Sequence, residues 1–265
     1  MKRLFLTLPF FLAACAQQPA PSPAESPTPE VTDTFLEGLK SDYPVTLSPL
    51  ADGVWVHTTN YTLPGQAPIA TNGLVVVDGD AVTLVDGAWG ELATVSLLEA
   101  VKEETGKPIT RMIVTHHRPN RTSGVDAAER EGIEVFTHPQ TPNLAALAGW
   151  PAPNTSVAAL SEPQSRTRVG KAEVAFPGPA ATADNLIVYL PDANILYASS
   201  TVRGAGAETL GNLAEADLEG WKEALTWMKA TYPDTTTVVP ERGNGANLTL
   251  LDATLALIDA EMTDD

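Results

Sequence analysis

The sequence predicts an α/β fold built from mixed β-sheets and flanking helices. Segments of strand character alternate with segments of helical apolar spacing through both halves of the chain. At 265 residues with 43% apolar content, the chain is long enough to bury a full hydrophobic core. No close internal repeat is visible, so residues 34–265 are predicted to form a single domain.

The first residues of the chain predict export and membrane attachment rather than a part of the fold. Lys2 and Arg3 precede an apolar run that is too short to span a bilayer. The run ends in Leu12-Ala13-Ala14-Cys15, which resembles the lipobox of bacterial lipoproteins. This resemblance implies that residues 1–14 are a signal peptide and that Cys15 carries lipid on the periplasmic side of the outer membrane. An ordinary signal peptide with an incidental cysteine is the alternative.

Composition limits the kinds of partner and of metal site that the protein can have. Residues 15–33 are rich in proline, serine and alanine, which is typical of a tether between an anchor and a folded domain. Cys15 is the single cysteine, so the folded part has neither a disulfide nor a thiolate metal ligand. The formal net charge of −17 argues against nucleic acid and anionic membrane surfaces as partners. Membrane attachment is therefore expected through the lipid on Cys15.

In the first half of the domain, apolar runs separated by turn signals predict strands and helices. Asp78-Gly79-Asp80 divides two β-rich runs and predicts a hairpin over residues 74–86. Helical apolar spacing follows over residues 91–106, where Gly106 and the nearby Pro108 are typical of a helix end. The remaining segments are predicted as a buried strand over 109–117, a short helix over 124–132 and a strand over 133–138.

The second half repeats this scheme more loosely. A strand is predicted over residues 172–178, and a hairpin over 185–199 turns at Pro191-Asp192-Ala193-Asn194. Residues 217–233 have the apolar spacing of an amphipathic helix. A strand over 235–241 and a helix over 248–262 complete the alternation.

Five separated segments carry a family resemblance. They are VWVHTTNYTLPGQAPIATNGLVVVDGDAVTLVDGAWG (54–90), IVTHHRPNRTSGVDAAEREGIEVF (113–136), FPGPAATADNLIVYLPDANILYASSTVRG (176–204), TLGNLAEAD (209–217) and VVPERGNG (238–245). In order and spacing they resemble the class B (metallo-) β-lactamases of the first subclass, most closely the New Delhi type. The resemblance implies an αββα sandwich of two mixed β-sheets flanked by helices, with the active site along one edge between the sheets. It also implies that two zinc ions are bound and that the protein hydrolyses β-lactam amide bonds.

The resemblance identifies six zinc-ligand positions, and this sequence departs from the family at five of them. The family uses three histidines at the first zinc and an aspartate, a cysteine and a histidine at the second. The corresponding residues here are His116, Arg118 and Ala181 at the first, and Asn120, Ser200 and Arg242 at the second. Arginine stays protonated without a free lone pair, alanine has no donor atom, and neutral Asn and Ser oxygens are weak zinc ligands. We therefore expect no metal and no other cofactor, unless a remodelled site holds zinc.

The other histidines do not replace the missing ligands. His117 follows His116 directly, and neighbours on a strand point to opposite faces, so the two are not expected to converge on one ion. His57 and His138 lie on other segments, and no spacing groups them with His116.

The substrate side of the resemblance is better kept. Arg203 stands where the family has a lysine that pairs with the β-lactam carboxylate, and Asn212 where it has an asparagine near the substrate carbonyl. Asp86 remains in the family's Asp-x-Ala-Trp turn, behind the metal positions. The alternatives are that Asn212 shapes its own loop, that Asp86 orients neighbouring groups, and that Arg203 is a surface cation.

The family fold would bring several cations of this acidic chain to one edge. They are Arg118, Arg121, Arg203 and Arg242. Arg121 and Arg203 are predicted to bind a substrate or another small anion, such as a carboxylate, a phosphate or a β-lactam-like molecule. Alternatively, the two arginines at former ligand positions pair internally with Asp86 or Glu241, since unpaired buried guanidinium groups are costly.

Three functions remain open on these residues. The first is a lipid-anchored pseudoenzyme that has lost its dizinc site and binds an anionic ligand without hydrolysing it. The second is a β-lactamase or related hydrolase with a remodelled site, using zinc or a serine route through Ser199 or Ser200 with His116 as base. That serine route lacks a nucleophile elbow and an orienting partner. The third is a folded remnant with no selected activity.

Overall fold

Eleven strands form two β-sheets in the computed structural model, which describes residues 38, 40 and 42–263. The first sheet keeps chain order and consists of β1 (Val45–Ala51), β2 (Val54–Tyr61), β3 (Ile69–Asp78), β4 (Ala81–Val85), β5 (Ile109–Ile113) and β6 (Glu134–Phe136). The second sheet has the order β11-β10-β9-β8-β7 and consists of β7 (Ser165–Val169), β8 (Ala172–Phe176), β9 (Ile187–Leu190), β10 (Ile195–Ser199) and β11 (Thr237–Pro240). The predicted signal peptide, Cys15 and the tether lie outside the described residues.

Both sheets are mixed, as predicted. In the first sheet β1 to β4 pair antiparallel, whereas β4, β5 and β6 pair parallel. In the second sheet β7 to β10 pair antiparallel, and β10 pairs parallel with β11. The two predicted hairpins are confirmed, with Asp78 opposite Ala81 in one and Leu190 opposite Ile195 in the other.

Helices cover the outer faces of the sheets. They are α1 (Glu91–Thr105), α2 (Pro119–Thr122), α3 (Val125–Arg130), α4 (Thr141–Leu147), α5 (Leu218–Thr231) and α6 (Thr249–Thr263), with a 3-10 turn at Ala158–Leu160. Helix α1 ends as predicted at Gly106, whose φ of 63° favours glycine and whose N–H donates to the Lys102 carbonyl. Asp217 caps α5 by accepting a hydrogen bond from the Gly220 N–H at 2.9 Å. Of the helices described, none is long and apolar enough to cross a membrane.

Three apolar clusters define four layers. The inner faces of the two sheets pack on each other through residues such as Leu74, Ile113 and Val188. The outer face of the first sheet packs on α1 and α3, and the outer face of the second packs on α5 and α6. The predicted fold class is therefore confirmed: an α/β protein with the αββα sandwich architecture.

The candidate site lies where several strands end together. Because β4 and β5 are parallel, the residues after both strands reach the same edge, and the parallel pair of β10 and β11 does the same in the second sheet. Backbone hydrogen bonds tie these ends across the sandwich. The Leu186 N–H donates to the Thr115 carbonyl at 2.7 Å, and the Asn72 N–H donates to the Glu241 carbonyl at 2.7 Å.

Candidate active site at the edge between the sheets

Asp86 is a buried anchor beneath the site. Its carboxylate accepts hydrogen bonds from the Thr115 N–H at 2.9 Å and from the Tyr197 hydroxyl at 2.7 Å. The Thr115 hydroxyl also donates to it, at 2.8 Å to Oδ2. These contacts fix the turn that follows β5, so Asp86 acts here as the orienting group that the sequence offered as one alternative.

Arg121 lies inside the protein, with no exposed surface. Its Nε is 3.2 Å from Asp86 Oδ2 and its Nη2 is 3.7 Å from Glu241 Oε2. None of its guanidinium nitrogens meets a partner with hydrogen-bond angles, so the attraction is Coulombic rather than directional. Burial alone would lower the pKa of Arg121, but the charges of Asp86 and Glu241 raise it. Arg121, which the sequence predicts as an anion-binding residue, is an internal counter-ion in this structure.

The Glu241 carboxylate is the centre of the site and is 7% exposed. Its Oε1 accepts from Asn120 Nδ2 at 2.8 Å and from Arg242 Nε at 3.2 Å, and its Oε2 lies 3.1 Å from His116 Nε2. Burial would raise the pKa of Glu241, but the nearby charge of Arg121 and the His116 hydrogen bond hold it well below its usual range. The carboxylate therefore stays ionised among residues at three of the ligand positions that the resemblance identifies.

Both nitrogens of His116 are engaged. Its Nδ1 accepts from the Arg118 N–H at 3.2 Å, so this nitrogen carries the lone pair. The proton must then be on Nε2, which donates to Glu241. This hydrogen-bond network leaves His116 no free lone pair for a metal ion.

His117 points to different partners, as the sequence predicts. Its Nδ1 lies 2.9 Å from Asp184 Oδ1, and its Nε2 lies 3.3 Å from Glu215 Oε1. Burial alone would lower the pKa of His117, but Asp184 and Glu215 raise it above its ordinary value. Glu215 also accepts from Arg118 Nε at 3.0 Å, and Arg118 Nη2 donates to the Ala181 carbonyl at 2.8 Å.

The predicted internal pairing of arginines is thus found with one change of partner. Arg242 pairs with Glu241, one of the two carboxylates proposed for it. Arg118 pairs instead with Glu215, because the loop before α5 brings this carboxylate beside Arg118 Nε. Neither arginine uses Asp86, which is occupied by Arg121 and Thr115.

The two serines of the proposed serine route have other partners. Ser199 Oγ lies 2.6 Å from the Thr115 hydroxyl, and Ser200 Oγ accepts from Asn185 Nδ2 at 2.7 Å. Within the described residues, neither serine hydrogen-bonds to His116. A serine nucleophile activated by this histidine is therefore not assembled.

Arg203 and Asn212 lie in the long loop between β10 and α5. Arg203 is half-buried, and among the described residues no carboxylate lies within ion-pair distance of it. Burial lowers the pKa of Arg203, and the positive charges of Arg242 and Arg118 lower it further, although the charge of Glu241 raises it. Asn212 is exposed, and its side-chain oxygen accepts from the Ala214 N–H at 3.0 Å, which shapes the loop.

The remaining histidines serve the core. The His138 ring packs against Phe176 with ring centroids 4.2 Å apart and the ring planes tilted by 52°. His57 is fully buried, with Nε2 at 3.1 Å from the Val85 carbonyl and 3.0 Å from the Asp86 carbonyl. Its Nε2–H therefore donates to these carbonyls, and burial lowers the pKa of His57 to about 4.

We expect His57 to make the free energy of unfolding depend on pH below neutrality. The folded state resists protonation down to about pH 4, whereas the unfolded residue takes up a proton near its ordinary pKa of 6.5. The contribution of His57 to the free energy of unfolding should therefore be fully present above pH 6.5. It should fall by up to ~1.4 kcal/mol per pH unit as the pH is lowered from 6.5 to 4. Urea unfolding of wild type and His57→Gln across this range measures it. A difference between the two proteins that does not change with pH would contradict the assignment.

The residues at the six positions that the family resemblance assigns to zinc ligands do not suit zinc. In residues 38, 40 and 42–263, no three His, Cys, Asp or Glu side chains are grouped so as to hold a metal ion. The one imidazole at a ligand position has both nitrogens engaged, and two of the other positions carry guanidinium groups. A catalytic zinc site needs about three protein ligands with free lone pairs.

Sequence reasoning named most of the residues that meet here but not the two carboxylates that organise them. Glu241 entered only as a possible partner, although it stands where the family motif Val-Val-Pro-Gly-His-Gly has its first glycine. That departure was the available signal. Glu215 had no signal, since it lies in a loop whose path the sequence does not determine.

Comparison with known proteins identifies relatives over most of the chain. A metallo-beta-lactamase type 2 from Bacillus sp. (strain 170) is 33% identical over 218 residues, which cover 81% of this chain and 82% of the relative. The metallo-beta-lactamase type 2 from Bacillus cereus is 32% identical over 218 residues. No protein-family model matches the sequence. On the strength of these relatives, the chain belongs to the metallo-β-lactamase family.

Solved structures agree. The metallo-β-lactamase from Hirschia baltica matches with a TM-score of 0.78 at 31% identity, over 81% of this chain and 98% of that chain. FIM-1 from Pseudomonas aeruginosa, solved in a mono-zinc form, matches with a TM-score of 0.78 at 29% identity, over 82% of this chain and 96% of that chain. The fold is therefore the metallo-β-lactamase fold.

Proposed function

We propose that this protein is a non-hydrolytic member of the family, related to the first subclass and its New Delhi type, whose substituted ligand positions do not hold zinc. One observation carries the proposal. The Glu241 carboxylate contacts His116, Asn120 and Arg242 at once, with distances of 3.1, 2.8 and 3.2 Å. Side chains at three ligand positions thus face a carboxylate of the chain itself, where a zinc enzyme would have them face a cation.

The ligand that this site would accept is a small anion. The Arg242 side chain is 41% exposed although it contacts Glu241, and Arg203 is half-buried without an ion pair among the described residues. Guanidinium groups bind carboxylates and phosphates through paired N–H donors. A β-lactam-like molecule would bind through its carboxylate and remain intact, because no activated water is available to attack it.

The proposal includes a location. Residues 12–15 resemble a lipobox, so we place the protein on the periplasmic side of the outer membrane, attached by lipid on Cys15. Metabolic labelling with palmitate, compared between wild type and Cys15→Ser, tests the attachment.

A zinc-dependent β-lactamase or related hydrolase with a remodelled site is the alternative. The similarity to the Bacillus metallo-beta-lactamases over 81% of the chain favours it. The donor chemistry at the ligand positions argues against it, because water needs a metal to become a nucleophile at neutral pH in this kind of site.

Zinc analysis and a hydrolysis assay separate the two functions. We expect the purified protein, expressed with zinc supplementation, to contain zinc far below stoichiometry and to leave a chromogenic cephalosporin intact. The Bacillus cereus relative, prepared and assayed identically, is the positive control. Stoichiometric zinc together with turnover would overturn the proposal and establish the alternative.

A further inference from the structure

Glu215 lies against the Arg118 guanidinium group and the His117 imidazole ring. Its Oε2 accepts from Arg118 Nε at 3.0 Å, and its Oε1 lies 3.3 Å from His117 Nε2. The glutamate side chain is 47% exposed, whereas that of Arg118 is 20% exposed and that of His117 is 7% exposed. A solvent-accessible carboxylate therefore occupies two donors that are largely inside the protein.

The two donors are held in place by other partners. His117 Nδ1 contacts Asp184 at 2.9 Å, and Asp184 also accepts from the Thr141 hydroxyl at 2.7 Å. Arg118 Nη2 donates to the Ala181 carbonyl at 2.8 Å. The His117 ring and the Arg118 guanidinium group would thus both keep their orientation without Glu215. A guanidinium group and an imidazole ring, held in fixed positions against the two oxygens of one carboxyl group, form a preorganised carboxylate site.

Glu215 itself is held less firmly. It lies outside helices and strands, in the segment that joins β10 to α5. The loop has its own anchors, because Leu210 is 3% exposed and the Asp217 N–H donates to the Ala180 carbonyl at 2.9 Å. The Glu215 side chain can therefore swing into solvent while the backbone on either side remains packed. A partly exposed ion pair also contributes little free energy, so Glu215 competes only modestly with a carboxylate ligand for Arg118 and His117.

Resting on the anion-binding function proposed above, we infer that His117 and Arg118 form a carboxylate-binding site occupied in the resting protein by the chain's own Glu215. A small molecule bearing a carboxylate binds by displacing Glu215. The internal carboxylate thereby sets the affinity of the site and excludes weaker anions.

Glutarate is a suitable probe because its carboxylate and short chain resemble the glutamate side chain. Its dissociation constant is measured by calorimetry at one pH, with sodium chloride replacing glutarate at equal ionic strength as the blank. Four proteins are compared: wild type, Glu215→Gln, Glu208→Gln and Arg118→Gln. Glu208 is an exposed glutamate of the same loop. Its substitution by glutamine removes the same charge as Glu215→Gln but leaves the site unchanged. Thermal unfolding confirms that each variant is folded.

We expect Glu215→Gln to bind glutarate roughly tenfold more tightly than wild type, about 1.4 kcal/mol. Glu208→Gln should bind as wild type does, and Arg118→Gln should bind glutarate more weakly than wild type. Equal affinities of Glu215→Gln and Glu208→Gln, or unchanged binding by a folded Arg118→Gln, would overturn the inference.

The same preparations are assayed for zinc and cephalosporin hydrolysis, so the two proposals fail separately. Stoichiometric zinc with turnover removes the proposed function whatever glutarate does. Absence of both, combined with no gain in Glu215→Gln, removes the carboxylate site alone.

Discussion

Glu241→Gln is expected to lower the free energy of unfolding by about 3–5 kcal/mol, the usual cost of removing one partner from a buried ion pair. Glu241 is 7% exposed, and Arg121, which it helps to neutralise, has no exposed surface. Glutamine keeps the size of the side chain but leaves Arg121 with only Asp86 as a counter-charge. The amide would also present donors to Asn120 and Arg242, which donate to Glu241 in the native protein.

Urea unfolding followed by circular dichroism measures the effect. Glu215→Gln is the matched control, since it removes an equal charge from a side chain that is 47% exposed. The control should cost no more than ~1 kcal/mol, because partly exposed ion pairs contribute little. A loss of similar size in both variants would mean that Glu241 is not the buried hub of the site.

Much of the fold could be predicted because its signals are local. The hairpins at Asp78-Gly79-Asp80 and at residues 191–194 follow from turn chemistry, and the end of α1 follows from Gly106. The strand predicted over 109–117 is wrong at its end, since β5 stops at Ile113. The Thr115 N–H is taken by the Asp86 side chain rather than by a neighbouring strand. This capture depends on a residue far away in sequence, so the apolar run could not reveal it.

The site was less predictable, because its contacts join residues that are far apart in the sequence. Sequence reasoning could name ligand positions and show by donor chemistry that arginine and alanine are poor replacements. It could not show which carboxylates meet the arginines. Arg118 pairs with Glu215, which is 97 residues away, and His116 contacts Glu241, which is 125 residues away. Such pairs are fixed by how loops from the two sheets meet, and no local pattern encodes that.

Introducing the zinc ligands of the family is expected to give tight zinc binding only when Glu241 is removed as well. The five ligand substitutions are Arg118→His, Asn120→Asp, Ala181→His, Ser200→Cys and Arg242→His. With Glu241 kept, its carboxylate still accepts from His116 and draws that imidazole away from a metal ion. Adding Glu241→Gly, the residue of the family motif, should raise the zinc affinity roughly 10–100-fold over the fivefold variant, as changes beside metal ligands commonly do.

Zinc titration followed by unfolding gives the readout, with Glu241→Gly alone as the control for loss of the carboxylate. Without zinc, the Glu241→Gly control should be less stable than wild type, because Arg121 has lost one of its two counter-charges. Zinc at about 100 times its dissociation constant should return about 2.7 kcal/mol to the sixfold variant and nothing to wild type or to the control. Equal zinc stabilisation of wild type would show that the native residues already hold the metal. The expected pattern instead means that Glu241 and the metal are alternative ways of filling one buried site, so the protein has one or the other.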